Sequence, residues 1–171
     1  MLEKIVTDEI LFYLIQATIF IGILSRIVVG VTIKRLLKAA GNMAKSDHTF
    51  IKYLKAKFEH ACMVNSKVNN VEVFVDKHVL EYRNLGIRLH SWRMLEKSTI
   101  WGCGILTILG ILGEYAVHKW NGLIDQYMAV GVAGMVILIL LFFAGDEEYK
   151  IRAIKVYLVD YLENVYAKKK E

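Results

Sequence analysis

The sequence predicts an all-α, polytopic membrane protein with three transmembrane helices and long cytoplasmic helical extensions. Of its 171 residues, 56% are hydrophobic and 23% are charged, and the mean hydropathy is +0.39. An ordinary soluble domain is less apolar than this, and a chain lying wholly in lipid would carry fewer charges. The chain contains no proline, the residue that most often breaks or kinks a helix. Composition therefore predicts membrane-spanning helices joined to a substantial polar portion.

The first predicted span is an apolar run that ends at Ile33, and we assign residues 1–33 to an N-terminus outside the cell and the first transmembrane helix. Three acidic residues and one lysine precede the run, whereas seven lysines and arginines lie between positions 34 and 57. Basic residues accumulate on the cytoplasmic side of a span. We therefore expect a multi-pass protein of the cell membrane, with its N-terminus outside and its C-terminus in the cytoplasm.

The first span contains one arginine, Arg26, several residues before its cytoplasmic end. An arginine side chain can extend along the helix and place its guanidinium among the headgroups. The rival interpretation is a buried pairing with an acidic residue across the helix bundle. Three small or polar residues that share a face, Thr18, Gly22 and Ser25, predict a seam at which another helix packs closely.

The predicted cytoplasmic portion consists of a helical region, 34–98, and a helical tail, 146–171. Polar residues at 46–49 offer a helix start, and two asparagines before Val71 mark a break. We expect the next helix to run from Val71 without a stop into the second span. Helix is preferred to strand for the VEVFV segment, because a lone strand would have no partner. The tail predicts an amphipathic helix that continues from the third span.

Recognisable catalytic or metal-binding motifs are missing from the polar sequence. Its histidines show no i, i+4 pairing with each other and no HExxH arrangement, and no glycine-rich phosphate loop or nucleophile elbow occurs. The pI of about 9.1 could suggest nucleic acid, but the basic residues flank spans, where anionic headgroups and topology account for them. We expect a protein that is not an enzyme, has no cofactor or metal, and binds no nucleic acid.

Residues 99–145 predict a hairpin of two further spans. The apolar run 100–120 would extend roughly 32 Å as a helix, enough to cross a hydrocarbon core of about 30 Å. Asn121 and Gly122 predict a short outer turn. The third span then runs as far as Gly145.

The second span carries polar and small residues along one face, at spacings of three and four. This stripe, as we call it, consists of Thr99, Cys103, Thr107, Gly110, Glu114 and, at its edge, His118. Lipid cannot hydrogen-bond to these groups and penalises an ionised carboxylate, so the stripe should face protein, water or a partner helix. Alternatively, Glu114 simply reaches the interfacial layer beside Trp120.

The order of these elements resembles that of the proton-channel subunits in the MotA/TolQ/ExbB family of ion-driven motors. Residues 109–114, LGILGE, are similar to the L-G-L-L-G-T stretch in the corresponding span of TolQ and ExbB, with Glu114 where the family has a channel-facing Thr. Residues 127–145 contain neither the Thr nor the Pro of the family's last span. The resemblance implies a homo-oligomeric, pentameric ring around a single-span membrane partner that bears an ionisable residue.

Three classes of function follow, of which a membrane enzyme is the least favoured, because no cluster of nucleophile, base or metal ligands converges at one depth. In an ion-conducting or ion-driven motor subunit, the stripe would face the centre of the ring, against a partner or a pore. In a membrane scaffold or assembly protein without ion conduction, the stripe would pack in the ordinary way and the cytoplasmic helices would bind partners.

Overall fold

The structure is a computed structural model that describes residues 10–65, 68 and 70–166. The acidic N-terminus, Asn69 and the lysine-rich end of the tail lie outside the described residues. Helices α1 (Ile10–Gly41), α2 (Thr49–Asn65) and α3 (Val71–Leu80) come first, followed by strands β1 (Arg83–Asn84) and β2 (Ile87–Arg88). Helices α4 (Leu89–His118), α5 (Gly122–Phe143) and α6 (Glu147–Asp160) complete the order, with a π-helical segment, Tyr161–Tyr166, after α6.

Three helical segments are long and apolar enough to cross a membrane, namely α1, α4 and the segment that begins with α5. This confirms the predicted fold class, an all-α membrane protein with three spans and further helices outside them. The predicted helix start within residues 46–49 and the helical state of VEVFV are also confirmed, because α2 begins at Thr49 and α3 at Val71. Length, hydropathy and capping residues were sufficient for these elements.

Contacts divide the chain into two compact units. The span unit comprises residues 10–28 and 91–145, and the polar unit comprises residues 29–90 and 146–166, within the described ranges. Helix α1 therefore contributes its first part to the span unit and its last part to the polar unit. Each unit has its own buried side chains.

Glycines bring the helices of the span unit close together. The centre of its apolar core is formed by Ile15, Cys103, Tyr127 and Leu138. A Cβ added to Gly131 would collide with the Thr107 side chain, and one added to Gly110 would lie 2.8 Å from the Tyr127 ring. Larger residues at these two positions would therefore push α4 and α5 apart, as is usual where small residues line a membrane helix interface.

Asn121 connects α4 to α5 by capping the N-terminus of α5. Its side-chain oxygen accepts hydrogen bonds from the backbone N–H groups of Leu123, at 3.1 Å, and Ile124, at 3.3 Å. Lys119 follows α4 with a φ of +57°, the left-handed conformation that commonly ends a helix. The connection is short, as predicted, but it occupies residues 119–121, and Gly122 already belongs to α5.

The polar unit has an apolar interior formed by α1, α2, α3, α6 and the π-helical segment. Its buried side chains include Val29, Ile33, Leu36, Met43, Ile51, Leu54, Phe58, Val75, Ile154, Leu158 and Leu162. Asn70 caps α3 by accepting a hydrogen bond from the Val73 N–H at 3.0 Å. An ion pair of 2.8 Å between Asp76 and Lys155 joins α3 to α6.

The prediction of one uninterrupted helix from Val71 into the second span is wrong. Helix α3 ends at Leu80, and β1 and β2 form an antiparallel hairpin before α4 begins. Leu85 and Gly86 make its turn with φ values of +53° and +80°, and positive φ at both central residues is typical of a tight type I′ turn. The Asn84 amide donates to the Thr32 hydroxyl of α1. The tendency of the Asn-Leu-Gly segment to form a turn thus determines the local structure here, and not the helical spacing of the apolar residues.

The tail also differs from its prediction in one respect. Residues 144–146 are not helical, so α6 does not continue directly from α5 but begins anew at Glu147. Asp146 is the residue before the new helix, and two glutamates in its first turn suit the positive end of the helix dipole.

Replacing Leu85 by Asn is expected to raise the stability of the protein by about 0.5–1 kcal/mol, because Asn tolerates the left-handed conformation that is costly for leucine. Leu85 is 75% exposed, so the substitution removes no buried contact. The thermal unfolding midpoint in a single detergent measures the effect. Leu80→Asn, at another exposed leucine, is the matched control and should not raise the midpoint. A lower midpoint for Leu85→Asn would contradict the strained turn.

Candidate functional site

The stripe of the second span lies inside the span unit. Thr99, Cys103, Thr107 and Gly110 are buried, and Glu114 is only 1% exposed. His118, at the edge of the stripe, has a side chain that is 49% exposed. The helical spacing therefore identified a face that is buried against helices of the same chain. That this face meets a ring centre or a second protein stays a prediction.

The hydroxyl groups in the middle of the stripe are satisfied by their own helix. Thr99 donates to the backbone carbonyl of Glu96 at 2.8 Å, and Thr107 donates to that of Cys103 at 2.7 Å. The Cys103 thiol lies 3.8 Å from the backbone carbonyl of Gly131 in α5. Backbone bonding of this kind removes the cost of a hydroxyl in an apolar interior. These residues act as compact packing groups here.

At the α4–α5 connection, Glu114 forms a polar cluster with His118 and Asn121. Oxygen Oε1 of Glu114 accepts a hydrogen bond from the Asn121 amide at 2.7 Å and lies 3.0 Å from Nδ1 of His118. Asn121 thus contacts Glu114 through its amide and caps α5 through its oxygen. Oxygen Oε2 of Glu114 is buried and has no hydrogen-bond partner among the described residues.

Toward the other end of α4, Arg26 forms an ion pair with Glu96. The guanidinium Nη1 lies 3.1 Å from Oε1 of Glu96, and the two side chains are 13% and 4% exposed. A Cβ added to Gly145 would collide with the same guanidinium. Of the two interpretations of Arg26, the buried pairing across the bundle describes this side chain, and the position of the guanidinium relative to the headgroups stays a prediction. The Glu96 carboxylate supplies the countercharge that a buried guanidinium needs.

Comparison with protein families, curated proteins and solved structures adds no relative to this picture. No family model, curated protein or solved structure matches the chain. The resemblance to the MotA/TolQ/ExbB family therefore rests on the order of elements and on residues 109–114 alone.

Redox and metal chemistry find little support in the side chains. Both cysteines, Cys62 and Cys103, are free thiols. Within the described ranges, no group of three His, Cys, Asp or Glu side chains could hold a metal ion. The polar groups of the span unit accept and donate hydrogen bonds along α4, and its charged contacts involve Glu96 and Glu114.

Sequence reasoning missed the two residues that complete these ends, Glu96 and Asn121. Glu96 precedes Thr99 by three residues, so the same spacing that defines the stripe would have extended it to a carboxylate. Asn121 was noticed only as a turn residue, although an asparagine before an apolar run is also a helix cap. A groove in the polar unit, lined by residues of α2, α3 and the β-hairpin, was missed because the hairpin was not predicted.

Removing one partner of the Arg26–Glu96 pair should destabilise the protein strongly. Arg26→Met leaves the buried Glu96 without this countercharge, and Glu96→Met does the same to Arg26, at a cost of about 3–5 kcal/mol each. The double variant removes both charges and should recover most of the loss. Unfolding of each variant in the same detergent measures these differences.

The control is Asp47→Asn, which breaks the Lys52–Asp47 pair in the polar unit. Its side chains are 62% and 94% exposed, and exposed pairs contribute little because water screens them. Single Arg26 or Glu96 variants as stable as the control would contradict a structural role for the buried pair.

Proposed function

We propose that this protein is a membrane scaffold or assembly protein, in which three spans anchor the polar unit and the polar unit carries the binding function. The observation that supports this most directly is the burial of the stripe within a single chain. Its hydroxyl and thiol groups contact backbone carbonyls, and Glu114 contacts a helix cap. A stripe with these contacts stabilises the anchor and has no need of an ion to account for it.

Spacing along α4 also favours this proposal over a proton path. Stripe residues four apart are separated by about 6 Å along the helix axis, whereas a hydrogen bond joins atoms about 3 Å apart. Thr99 and Thr107 donate to backbone carbonyls of their own helix, those of Glu96 and Cys103, and a backbone carbonyl has no proton to pass on. Transfer of a proton along this face would need groups or water between them.

The proposed arrangement in the cell follows the basic residues. With seven lysines and arginines between positions 34 and 57, the positive-inside rule favours a cytoplasmic polar unit and an outer α4–α5 connection. The scaffold function needs neither catalysis nor a cofactor. Partners would then meet the polar unit on the cytoplasmic side.

A second candidate is the ion-driven motor subunit, and one atom favours it. Oxygen Oε2 of Glu114 is buried without a partner among the described residues, and His118, beside the other oxygen, is half exposed. A buried carboxyl oxygen without a donor is unusual and offers a place for a proton, a second copy or a single-span partner. In this proposal the protein forms a homo-oligomer, pentameric if the resemblance to MotA/TolQ/ExbB holds.

Proton flux into liposomes distinguishes the two candidates. We expect purified protein, alone or with any membrane partner that copurifies, to give the same flux as empty liposomes in a pH-sensitive dye assay. Glu114→Gln should change neither this flux nor the oligomer seen by native mass spectrometry, because glutamine keeps the size and an oxygen for the Asn121 amide. Flux in the wild type that Glu114→Gln abolishes, with the oligomer intact, would overturn the scaffold proposal in favour of the motor.

Orientation is tested by labelling single cysteines in intact cells. Trp120→Cys should react with an impermeant thiol reagent, and Lys52→Cys should react only after the membrane is opened, both in a Cys62→Ser background. The two positions are suitable because the Trp120 residue is 66% exposed and the Lys52 side chain 62% exposed, while Cys103 is buried. The reverse pattern would contradict the proposed orientation.

A further inference from the structure

The polar unit contains a groove of about 730 Å³ lined by α2, α3 and the β-hairpin. This volume lies within the range of about 300–1,000 Å³ that small-molecule sites occupy. The lining of the groove contains two sets of side chains, which we call its two walls. One is formed by aromatic rings and two histidines, and the other by a pair of arginines on the hairpin.

The arginine wall is a consequence of strand register. Arg83 and Arg88 are directly opposite each other in the β1–β2 ladder, so their side chains project from the same face of the hairpin, with Cα atoms about 4.5–5.5 Å apart. Both are exposed, and neither is paired with a carboxylate among the described residues. Like charges directly opposite each other destabilise a hairpin. An anion bound between them would remove that repulsion.

The chemistry of the arginine pair favours phosphate. Each guanidinium presents a planar fork of N–H donors that fits a phosphate with two hydrogen bonds. Glu81 is the one acidic residue in the lining of the groove, so the arginine side retains an excess of positive charge. Asn84, the last residue of β1, donates to the Thr32 hydroxyl, which fixes the hairpin to α1 within the polar unit.

The aromatic wall can accommodate a planar ring. Phe50 packs edge-on against Tyr82 with ring centroids 4.9 Å apart, and Tyr53, which is 47% exposed, presents part of its ring to solvent. Stacking on aromatic side chains is the usual way in which proteins bind nucleobases without sequence preference. Burial raises the pKa of the Tyr82 phenol, so this ring remains neutral and adds no negative charge to the site.

Backbone contacts hold the two histidines of the lining in place. Nδ1 of His48 accepts the Phe50 N–H at 3.2 Å, which places the proton of a neutral ring on Nε2. Nδ1 of His78 faces the Phe74 carbonyl at 2.8 Å and donates to it, because a carbonyl oxygen can only accept. Burial lowers the pKa of His48, and the charge of Arg35 lowers it further. The lowered pKa favours the neutral form of His48.

We propose that this groove binds a nucleotide, with its phosphates between Arg83 and Arg88 and its base against the aromatic wall. The assignment joins a paired set of guanidinium groups to a ring-lined cavity of suitable size. It goes beyond the proposed function, because a nucleotide could bind here whether the spans serve as an anchor or as part of a motor.

The experiment measures binding to the full-length protein in detergent with four probes. ADP carries both a ring and a diphosphate, pyrophosphate lacks the ring, adenosine lacks the phosphates, and dihexanoyl phosphatidic acid represents a lipid headgroup. We expect ADP to bind at least about tenfold more tightly than each of the others, which corresponds to about 1.4 kcal/mol. No ADP binding up to about 1 mM, equal affinity for pyrophosphate, or tighter binding of the lipid would overturn the proposal.

Variants assign the binding to the groove. Arg83→Gln and Arg88→Gln should each weaken ADP binding about tenfold or more, and Arg88→Lys should lie between, because lysine keeps the charge but not the fork. Tyr53→Leu should weaken ADP binding but leave pyrophosphate binding unchanged. Arg152→Gln, an exposed arginine of α6, is the matched control and should bind ADP like the wild type.

Thermal unfolding provides a second readout that excludes misfolding as a cause. Without ligand, Arg83→Gln and Arg88→Gln should unfold at the wild-type temperature or higher, because each removes a repulsion. ADP should raise the midpoint of the wild type and of Arg152→Gln but not of these two variants. A normal ADP-induced shift in both arginine variants would overturn the site.

Discussion

A charge that is buried in an apolar helix bundle has to be balanced within the protein, and Glu96 does this for Arg26. Lipid offers no countercharge and no hydrogen bond, so an unpaired guanidinium there costs several kcal/mol by any scale. The pair fixes which face of α1 meets which face of α4, because only one rotation of each helix brings the two side chains together. The stripe that begins three residues after Glu96 is consequently turned inward.

Once that face is inward, the helices can approach only where side chains are small. Gly131 accepts the Thr107 side chain and Gly110 accepts the Tyr127 ring, so the same face combines polar groups with close packing. Association of helices in lipid depends on such packing, since burial of apolar surface gains little when the surroundings are already apolar. The Glu114 cluster then determines how α4 returns as α5, because Asn121 contacts the carboxylate and caps the next helix at once. Polar contacts of Glu96 and Glu114, together with close packing at the glycines between them, therefore hold α4 against its neighbouring helices.

The sequence predicted the features that depend on a single helix, but it did not predict the contacts between two helices. The residues of the stripe can be identified because an α-helix has 3.6 residues per turn. The inward position of Glu114 follows because exposing a carboxylate to lipid is costly. The partner of Arg26 depends on the rotation of α1 against α4, which no single-helix period contains. The connection at 119–121 was predicted to within two residues, because turn residues there interrupt an otherwise continuous apolar run. The stripe was thus predicted, but its neighbours were not.

The β-hairpin is the case in which local chemistry and periodicity gave opposite answers. Apolar residues recur every three or four positions from Val71 toward the second span, and this pattern favours helix. Gly86 fits that pattern by position, yet its φ of +80° belongs to a turn, and it reverses the chain at a leucine in a costly conformation. The reversal brings Arg83 opposite Arg88, whereas on a continuous helix residues five apart would project in different directions. The strained turn therefore creates the arginine pair. An exposed leucine in a costly conformation and two opposed positive charges both lower the stability of the hairpin, and a bound ligand would offset that loss.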